Sequence, residues 1–311
     1  MKILVTGGAG FIGSSFVKSL IKKGNEVRVL DSYRRGGISR LSTYKDDIEI
    51  INGDIRNKEI VKKALKNVDC VYHFAYINGT KNFYKYPYEV LEVGIKGIIN
   101  LFDCFKKIPI SHFILASSSE VYQQANIIPT PENIECKVPD VFNPRFSYGS
   151  GKILSEILAI HSKNLFDKLT IFRPHNVYGP DMGNDHVVPE LINKIKNIGK
   201  NNILKIQGTG RETRSFIYID DFIRALNLVV SKTKKYQLYN IGTDEEITIK
   251  NLTKKILNNF NQSQVKILSE KIFEGSTVRR CPDVKKLSKL GFTPKINIDK
   301  GLKKTIEWSK K

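Results

Sequence analysis

The sequence lacks any apolar run long enough to span a bilayer, and it contains few cysteines. Its longest apolar stretches, such as residues 108–116, include polar residues and fall well short of the ~20 residues that a membrane helix needs. The four cysteines lie far apart, without a Cys-x-x-Cys pair or paired histidines, so the sequence predicts reduced thiols and no metal site. The first apolar run is too short for a signal peptide, and we expect a cytoplasmic location without membrane attachment.

Acidic residues are scarce relative to basic ones. The 311 residues include 31 Asp+Glu and 51 Lys+Arg, a net charge of +20. A nucleic-acid partner would explain this excess, but the lysines form pairs spread along the chain, mostly one pair for each predicted helix. This distribution favours a solvated surface and no nucleic-acid partner. With 41% hydrophobic residues, the chain is long enough to bury about three quarters of its surface in one or two domains.

The first half alternates short β-branched runs with helical patterns, which predicts a parallel sheet with crossover helices. The predicted strands are residues 3–6, 26–30, 48–51, 68–74, 112–117 and 169–173, and the predicted helices are 11–23, 57–66, 87–107 and 147–164. After residue 174, prolines and glycines interrupt the alternation. We therefore predict an α/β fold in which a doubly wound parallel sheet, 1–173 joined by 214–242, precedes a smaller α/β region, 174–213 and 243–311.

A glycine motif, Gly7-Gly8-Ala9-Gly10-Phe11-Ile12-Gly13, follows the first strand and opens a helix. Its glycines allow a tight turn and let backbone amides approach a diphosphate, whose charge the helix N-terminus stabilises. Asp31 ends the next strand, where a carboxylate can accept both ribose hydroxyls and repel the 2′-phosphate of NADP. The pattern is typical of a Rossmann domain and favours NAD, although Arg34 and Arg35 could bind such a phosphate.

Tyr148 and Lys152 are four residues apart near the start of a helix, on one face. A phenol with a pKa of ~10 is a poor base at neutral pH, and we expect the neighbouring ammonium, together with a charged nicotinamide, to lower that pKa. The pair could then move the proton of a sugar hydroxyl. Such a pair alone is usually surface decoration, but residues 117–120, Ser-Ser-Ser-Glu, end the fifth strand, where ligands bind in these sheets.

In this combination the sequence resembles the extended short-chain dehydrogenase/reductase superfamily, specifically its nucleotide-sugar epimerases, dehydratases and decarboxylases. The resemblance covers nearly the whole chain. The matching motifs, in family order, are the glycine motif, Asp31, Gly53-Asp54-Ile55-Arg56, His73-Phe74-Ala75, the serine cluster, Tyr148 with Lys152, Arg173-Pro-His-Asn176-Val-Tyr-Gly-Pro180, Thr213-Arg214-Ser-Phe-Ile-Tyr-Ile-Asp-Asp221 and Arg280-Cys-Pro-Asp283.

The resemblance implies NAD as the cofactor and a nucleotide sugar as the substrate. The expected cofactor residues are Gly7, Gly10, Phe11, Ile12, Gly13, Asp31, Asp54, Ile55, Tyr148 and Lys152. The expected catalytic residues are Ser118, Glu120, Tyr148 and Lys152, and the expected substrate residues are Thr80, Ser118, Asn176, Arg214 and Arg280. For each of the two arginines, the alternative is a surface ion pair. By resemblance, helices 87–107 and 147–164 would also form a four-helix interface in a homodimer.

The implied mechanism is transient oxidation of a sugar hydroxyl to a 4-ketosugar. Return of the hydride to the other face makes the chain a 4-epimerase, which is the primary hypothesis. Dehydratases of the family carry Asp-Glu after the catalytic Ser/Thr, whereas this chain has Ser119-Glu120, a pair that also resembles UDP-glucuronate decarboxylases. A reductase that consumes external NAD(P)H is a further enzymatic alternative, and a non-catalytic dinucleotide- or RNA-binding module is the alternative outside enzymes.

Three residues depart from the family pattern. Gln123 replaces the usual Gly after Val-Tyr, Tyr76 replaces an Ala, and Gly94 stands in place of a common Asn in the central helix. We expect cofactor binding to be unaffected. The aromatic-rich loop 76–84 would lie over the sugar, where Asn78, Thr80 and Lys81 are candidate selectors; the alternative is a solvent-exposed loop.

Overall fold

The computed structural model describes residues 1–199 and 201–310. The strands in these residues are β1 (Lys2–Thr6), β2 (Glu26–Asp31), β3 (Ile48–Asn52), β4 (Cys70–His73), β5 (Ile110–Ala116), β6 (Phe166–Pro174), β7 (Val177–Tyr178), β8 (Ile203–Gln207), β9 (Thr213–Ser215), β10 (Ile217–Tyr218), β11 (Tyr236–Ile241), β12 (Glu246–Thr248), β13 (Lys266–Glu270) and β14 (Arg279–Arg280). The α-helices are α1 (Phe11–Ile21), α2 (Lys58–Ala64), α3 (Thr80–Lys85), α4 (Pro87–Phe105), α5 (Ser147–His161), α6 (Val187–Lys196), α7 (Ile219–Lys232), α8 (Ile249–Asn259), α9 (Lys285–Ser288) and α10 (Ile298–Ser309).

Seven parallel strands form the main sheet in the order β3–β2–β1–β4–β5–β6–β11. The chain moves outward from β1 to β3 and then crosses to β4 on the other side of β1. Strand order therefore reverses beside β1, and ligands of such sheets bind at this point, outside the carboxyl ends of the strands. The predicted α/β fold with a doubly wound parallel sheet is confirmed.

The main sheet is covered by helices on both faces. Along β1, Leu4 and Val5 alternate between the two faces and both are fully buried. Leu4 belongs to the core under α2, α4 and α5, whereas Val5 belongs to the core under α1 and α7. The second core continues into α6, α8 and α10. Burial on both faces explains why these strands consist of nearly continuous β-branched and apolar residues.

The smaller region supplies three short sheets beside the main one. In these, β7 pairs with β10, β8 pairs with β13, and β9 lies between β12 and β14. The parallel register of β9 and β14 places Arg280 opposite Arg214, although 66 residues separate them in the chain. Strand β11 returns to the main sheet beside β6. The boundaries of the two units, as predicted from the sequence, stay a prediction.

The structure corrects one segment assignment and adds several strands. The predicted loop 76–84 contains helix α3, which begins at Thr80 and has too few residues to show an apolar period. The strands that match no strand predicted from the sequence are β7, β11, β12, β13 and β14. The lysine pairs are residues 22–23, 62–63, 106–107, 234–235, 285–286 and 303–304. Eleven of these twelve residues are exposed and Lys286 is half-buried, which agrees with a solvated lysine surface. The four cysteines are free thiols.

Within the ranges that the structure describes, no helix combines the length and apolar character needed to cross a membrane. The same residues contain no group of three or more His, Cys, Asp and Glu side chains arranged to hold a metal ion.

Candidate active site

Two cavities lie at the carboxyl edge of the main sheet. The smaller cavity, about 400 Å³, is lined by all ten residues that the sequence analysis assigned to the cofactor. The larger cavity, about 770 Å³, is lined by the five assigned to the substrate and by Glu120. Tyr148 lines both cavities. The fold therefore brings the assigned residues together in two adjoining spaces, with Tyr148 at their junction.

The glycine motif forms a narrow cradle in the smaller cavity. Gly7 has φ +71°, in the left-handed region that favours glycine. A Cβ at Gly13 would collide with the carbonyl oxygen of Gly7 and come within 2.9 Å of Gly8 Cα. Helix α1 begins after Gly10, which gives it no side-chain cap, and its first turn contains no acid. Close backbone approach and uncapped amides fit the pyrophosphate of a dinucleotide.

Asp31 is held at the end of β2 by two backbone amides. Its Oδ2 accepts a hydrogen bond from the amide of Ala9 at 2.9 Å, and its Oδ1 accepts one from Tyr33 at 2.8 Å. The neighbouring guanidiniums form ion pairs with carboxylates: Arg34 pairs with Glu89 at 3.1 Å, and Arg35 pairs with Asp185 at 3.5 Å. Neither arginine is free to offset the repulsion between Asp31 and a 2′-phosphate, so the arrangement favours NAD.

Asp54 and Ile55 form another wall of the smaller cavity. Arg56 pairs with Asp54 at 2.7 Å, and its hydrogen bonds hold the pKa of that carboxyl below its usual value. Ile55 is buried, and its carbonyl accepts a hydrogen bond from Asn100 at 3.0 Å. The wall therefore combines an apolar side chain with a fixed carboxylate, a surface that suits an adenine ring.

Tyr148 lies in an aromatic pocket at the junction of the cavities. Its ring is 5% exposed and stacks on Phe83 of α3, with 4.9 Å between the ring centroids. Burial raises the pKa of Tyr148 well above its ordinary value, and the opposing effects of Ser118 and Arg35 are smaller. Within the chain itself, the phenol is therefore protonated at neutral pH.

Lys152 alone does not lower the pKa of Tyr148, so the expected lowering by the ammonium together with a charged nicotinamide stays a prediction. The Lys152 ammonium donates a hydrogen bond to the carbonyl of Ala116 at 2.6 Å and lies 5.7 Å from the centroid of the Tyr148 ring. Burial also lowers the pKa of Lys152 to about 7, although Glu156 on the next turn opposes this. At neutral pH the lysine is only partly charged, and its effect on the phenol does not offset the desolvation.

Glu120 is enclosed by two arginines in the larger cavity. Its Oε1 lies 2.6 Å from Arg280 Nη1, and its Oε2 lies 3.0 Å from Arg145 Nη2. Burial opposes ionisation of this carboxyl, but Arg280 and Arg145 outweigh it and hold its pKa well below its usual range. Glu120 is therefore a fixed anion at neutral pH rather than a proton donor.

Arg214 is a cation without an acidic partner. Its guanidinium donates to the backbone carbonyls of Thr213 and Thr277, each at 2.7 Å, and no carboxylate in the described part of the chain forms an ion pair with it. Burial lowers the pKa of Arg214 to about 10, so it stays charged at neutral pH. Arg214 is therefore not in a surface ion pair, and the Arg280 side chain that pairs with Glu120 is buried.

The remaining assigned residues differ in how free their side chains are. Ser118 precedes a 3₁₀ turn, Ser119–Tyr122, and its Oγ accepts a hydrogen bond from the Glu120 amide at 3.1 Å. Asn176 has φ +41°, and its amide donates to the carbonyl of Ser215 at 2.8 Å, so it braces two segments of the cavity wall. Thr80 begins α3 and faces the larger cavity.

Sequence reasoning missed three residues that shape the site. Arg145 pairs with Glu120, Phe83 stacks on Tyr148, and Asp185 joins Arg35 to the segment after β7. Arg145 lies three residues before Tyr148, and this short separation in the sequence could have indicated that it belongs to the site. Phe83 and Asp185 are placed by long-range packing, for which the sequence contains no local pattern.

The comparisons with known proteins identify a family. The model of the NAD dependent epimerase/dehydratase family matches residues 3–242. A putative UDP-glucose 4-epimerase from Methanocaldococcus jannaschii is 32% identical over 314 residues, which cover 99% of this chain and 98% of that protein. A UDP-N-acetyl-alpha-D-glucosaminuronate decarboxylase from Bacillus cytotoxicus is 29% identical, covering 99% of this chain and 97% of that protein.

Solved structures agree with this family. A UDP-glucose 4-epimerase from Thermotoga maritima, solved with UDP-glucose, superposes with a TM-score of 0.89 at 26% identity and covers 100% of this chain and 99% of its own. A dTDP-glucose 4,6-dehydratase from Streptomyces venezuelae, solved with NAD, gives a TM-score of 0.90 at 26% identity, with 100% and 97% covered. The predicted membership of the extended short-chain dehydrogenase/reductase superfamily is confirmed. The chain belongs to the NAD dependent epimerase/dehydratase family, and its cofactor is NAD.

Proposed function

We propose that the chain is a nucleotide-sugar 4-epimerase. The observation that carries the proposal is the junction of the two cavities, where Tyr148 and Ser118 can reach a sugar hydroxyl while the adjacent Glu120 is fixed as an anion by two arginines. Epimerisation needs a group that removes and returns one proton, and it needs no further acid. Elimination of water would need a proton donor, and Glu120 does not supply one.

The proposed chemistry assigns one task to each residue. Bound NAD supplies the capacity to take up and return a hydride. Tyr148 accepts the proton of the 4-hydroxyl and later returns it, while Ser118 holds the oxygen by a hydrogen bond. The raised pKa of Tyr148 must fall when the site is filled, and Lys152 would contribute once its ammonium turns from Ala116 toward the cofactor ribose.

The larger cavity carries charge suited to a nucleoside diphosphate. Three guanidiniums, those of Arg145, Arg214 and Arg280, lie around one carboxylate, that of Glu120, so positive charge is in excess in this part of the cavity. Arg214, whose partners among the described residues are backbone carbonyls alone, is the residue that we expect to bind the phosphate oxygens through charge-assisted hydrogen bonds.

A second candidate reaction is decarboxylation of a nucleotide-linked uronate. Three buried guanidinium nitrogens beside Glu120, Nε and Nη1 of Arg145 and Nε of Arg280, have no hydrogen-bond partner in the described residues. These donors could hold the carboxylate of a uronate. After oxidation at C4, that carboxylate would leave as CO₂, and the carbanion would take a proton. The relative from Bacillus cytotoxicus is named as a decarboxylase of such a substrate.

Product analysis distinguishes the candidates. Purified chain with NAD is incubated separately with UDP-glucose, UDP-N-acetylglucosamine and UDP-glucuronate, and the products are followed by proton NMR and by trapping of CO₂. The proposal expects interconversion of 4-epimers without net change in cofactor absorbance. Release of CO₂ from UDP-glucuronate would contradict the proposal and identify the chain as a decarboxylase. Stoichiometric consumption of added NADH would identify a reductase.

A Tyr148→Phe variant tests the catalytic assignment in the same assay. It keeps the stacking on Phe83 and removes only the hydroxyl, so we expect turnover to fall by a factor on the order of 10³ with NAD affinity retained. Unchanged turnover would remove Tyr148 from the mechanism, whatever the substrate.

A homodimer through α4 and α5 is part of the proposal. These helices pack together, and their outer face exposes Ile99, Leu154 and Ile157, each 43–48% accessible. Light scattering on the purified chain measures its mass. We expect a dimer that Leu154→Lys with Ile157→Lys converts to a monomer, whereas Ile127→Lys, at an exposed site elsewhere, leaves it intact. A wild-type monomer would contradict this part.

A further inference from the structure

Tyr76 contacts both members of the Tyr148–Lys152 pair. The Lys152 ammonium lies 4.1 Å from the centroid of the Tyr76 ring, and the Tyr148 ring meets it edge-on, with 5.1 Å between centroids and 87° between planes. Tyr76 also lines the smaller cavity. A single side chain thus touches the phenol, the ammonium and the space for the cofactor.

Two helical glycines leave the space that the Tyr76 ring fills. A Cβ at Gly94 in α4 or at Gly151 in α5 would collide with the Tyr76 hydroxyl. Neither glycine has a positive φ, and glycine weakens a helix interior, so backbone geometry does not explain these residues. Tyr76 and Gly94 are also two of the three departures from the family pattern, and the structure places them in contact.

The Tyr76 ring faces a group whose charge is otherwise disfavoured. Burial lowers the pKa of Lys152 to about 7, and the ammonium has one hydrogen bond, to the Ala116 carbonyl. The negative face of an aromatic ring attracts a desolvated ammonium. The ring at 4.1 Å therefore favours the charged form of Lys152 and restricts where its end can lie. The hydroxyl of Tyr76 has no hydrogen-bond partner in the described residues, so the contact to Lys152 is made by the ring face.

We propose that Tyr76 is a positioning residue of this active site, whose ring face holds the Lys152 ammonium beside Tyr148 in the space left by Gly94 and Gly151. The proposal deepens the proposed function, because it concerns the lysine that serves the cofactor and the phenol. It does not depend on which nucleotide sugar is turned over.

Binding of NAD as a function of pH tests the role of the ring without any turnover. Isothermal titration compares wild type, Tyr76→Phe and Tyr76→Leu between pH 6 and pH 8. In Tyr76→Leu the charged form of Lys152 loses the ring that favours it, so less of the lysine is charged at pH 8, whereas most of it is charged at pH 6. We therefore expect NAD affinity to be about tenfold weaker than in the wild type at pH 8 and only about twofold weaker at pH 6. Tyr76→Phe keeps the ring and should follow the wild-type curve.

Two results would overturn the proposal. If Tyr76→Leu weakens binding equally at both pH values, the ring acts only by filling space. If Tyr76→Phe behaves like Tyr76→Leu, the hydroxyl is the important group and the ring face is not. Failure of the chain to epimerise any sugar would leave both readouts intact, so the two proposals can fail separately.

Thermal unfolding tests whether Tyr76 and Gly94 share one space. Gly94→Ala should lower the melting temperature of the wild type because its methyl group collides with Tyr76. In a Tyr76→Ala background, where that hydroxyl is absent, the same substitution should be neutral or stabilising. Additive effects in the two backgrounds would show that the residues are not coupled, and the packing part of the proposal would be wrong.

Discussion

The two cavities can hold the same chemical group, a diphosphate, but they are built differently. The smaller cavity offers uncapped amides at the start of α1 in a glycine cradle, and the arginines near it are paired with acids. The larger cavity offers guanidiniums, and Arg214 has no acidic partner in the described residues. We therefore expect the smaller cavity to bind charge through backbone geometry and the larger cavity to bind it through side-chain charge. Each is sensitive to a different kind of substitution.

The largest expected effect comes from filling the glycine cradle. Gly13→Ala places a methyl group against the backbone of Gly7 and Gly8, which cannot move away as a side chain would. We expect NAD affinity, measured by isothermal titration, to fall by a factor on the order of a hundred. Affinity for UDP should stay within about twofold, because the larger cavity is unchanged.

Gly199→Ala is the matched control for this substitution. A Cβ at this glycine would have Asn201 Oδ1 as its nearest atom at 3.7 Å, and the position lines neither cavity. It should leave both affinities unchanged. Normal NAD binding by Gly13→Ala would contradict the cradle, and an equal loss of UDP binding would contradict the independence of the cavities.

A smaller effect is expected from removing charge in the larger cavity. Arg214→Leu keeps much of the side-chain volume but loses the donors, and we expect UDP affinity to fall by about 10- to 100-fold with NAD affinity unchanged. Arg211→Leu removes an exposed arginine three residues away and serves as the control. If both variants weaken UDP binding equally, the general charge of +20 attracts the nucleotide and Arg214 has no specific role.

The last expected effect is a loss of stability in acid, to which buried histidines contribute. Burial lowers the pKa of His73, at the end of β4, and of His175, after β6, to about 3. Both imidazoles are neutral in the fold, whereas in the unfolded chain they bind protons below pH ~6.5. Unfolding therefore takes up protons, and stability falls as the pH drops below this value.

We expect each of these two histidines to reduce the free energy of unfolding by up to about 2 kcal/mol between pH 7 and pH 5. Urea denaturation at the two pH values measures their contribution together with those of His112 and His186, because burial lowers the pKa of each of these to about 4. Imidazole NMR signals of the folded chain that do not titrate above pH 5 would support the assignment. Equal stability at both pH values would contradict it.

The sequence predicted the smaller cavity better than the larger one. Gly7 follows β1, Gly13 lies in the first turn of α1 and Asp31 ends β2, so short contiguous motifs place them. The larger cavity depends on packing between distant segments. Arg280 reaches Glu120 because β14 pairs with β9, and Phe83 reaches Tyr148 because α3 forms inside a segment without a clear helical period.

Electrostatics was the weakest part of the sequence prediction. The spacing of Tyr148 and Lys152 correctly placed them on one helix, but it could not show that burial raises the pKa of Tyr148 in the chain itself. Burial in turn depends on Phe83 and Tyr76, which come from elsewhere in the chain. The departure at Gly94 had no explanation until its contact with Tyr76 was known.

The pairing of β11 with β6 leaves one edge of the main sheet exposed while the chain is being synthesised. The edge strand of the main sheet, Tyr236–Ile241, is synthesised more than sixty residues after β6, and the segments of β7 to β10 leave the ribosome in between. Until then β6 presents unpaired backbone groups, which can recruit a strand from another molecule. A fragment ending at residue 173 would keep that exposed edge permanently. We therefore expect such a fragment to aggregate, even though it contains the whole glycine cradle.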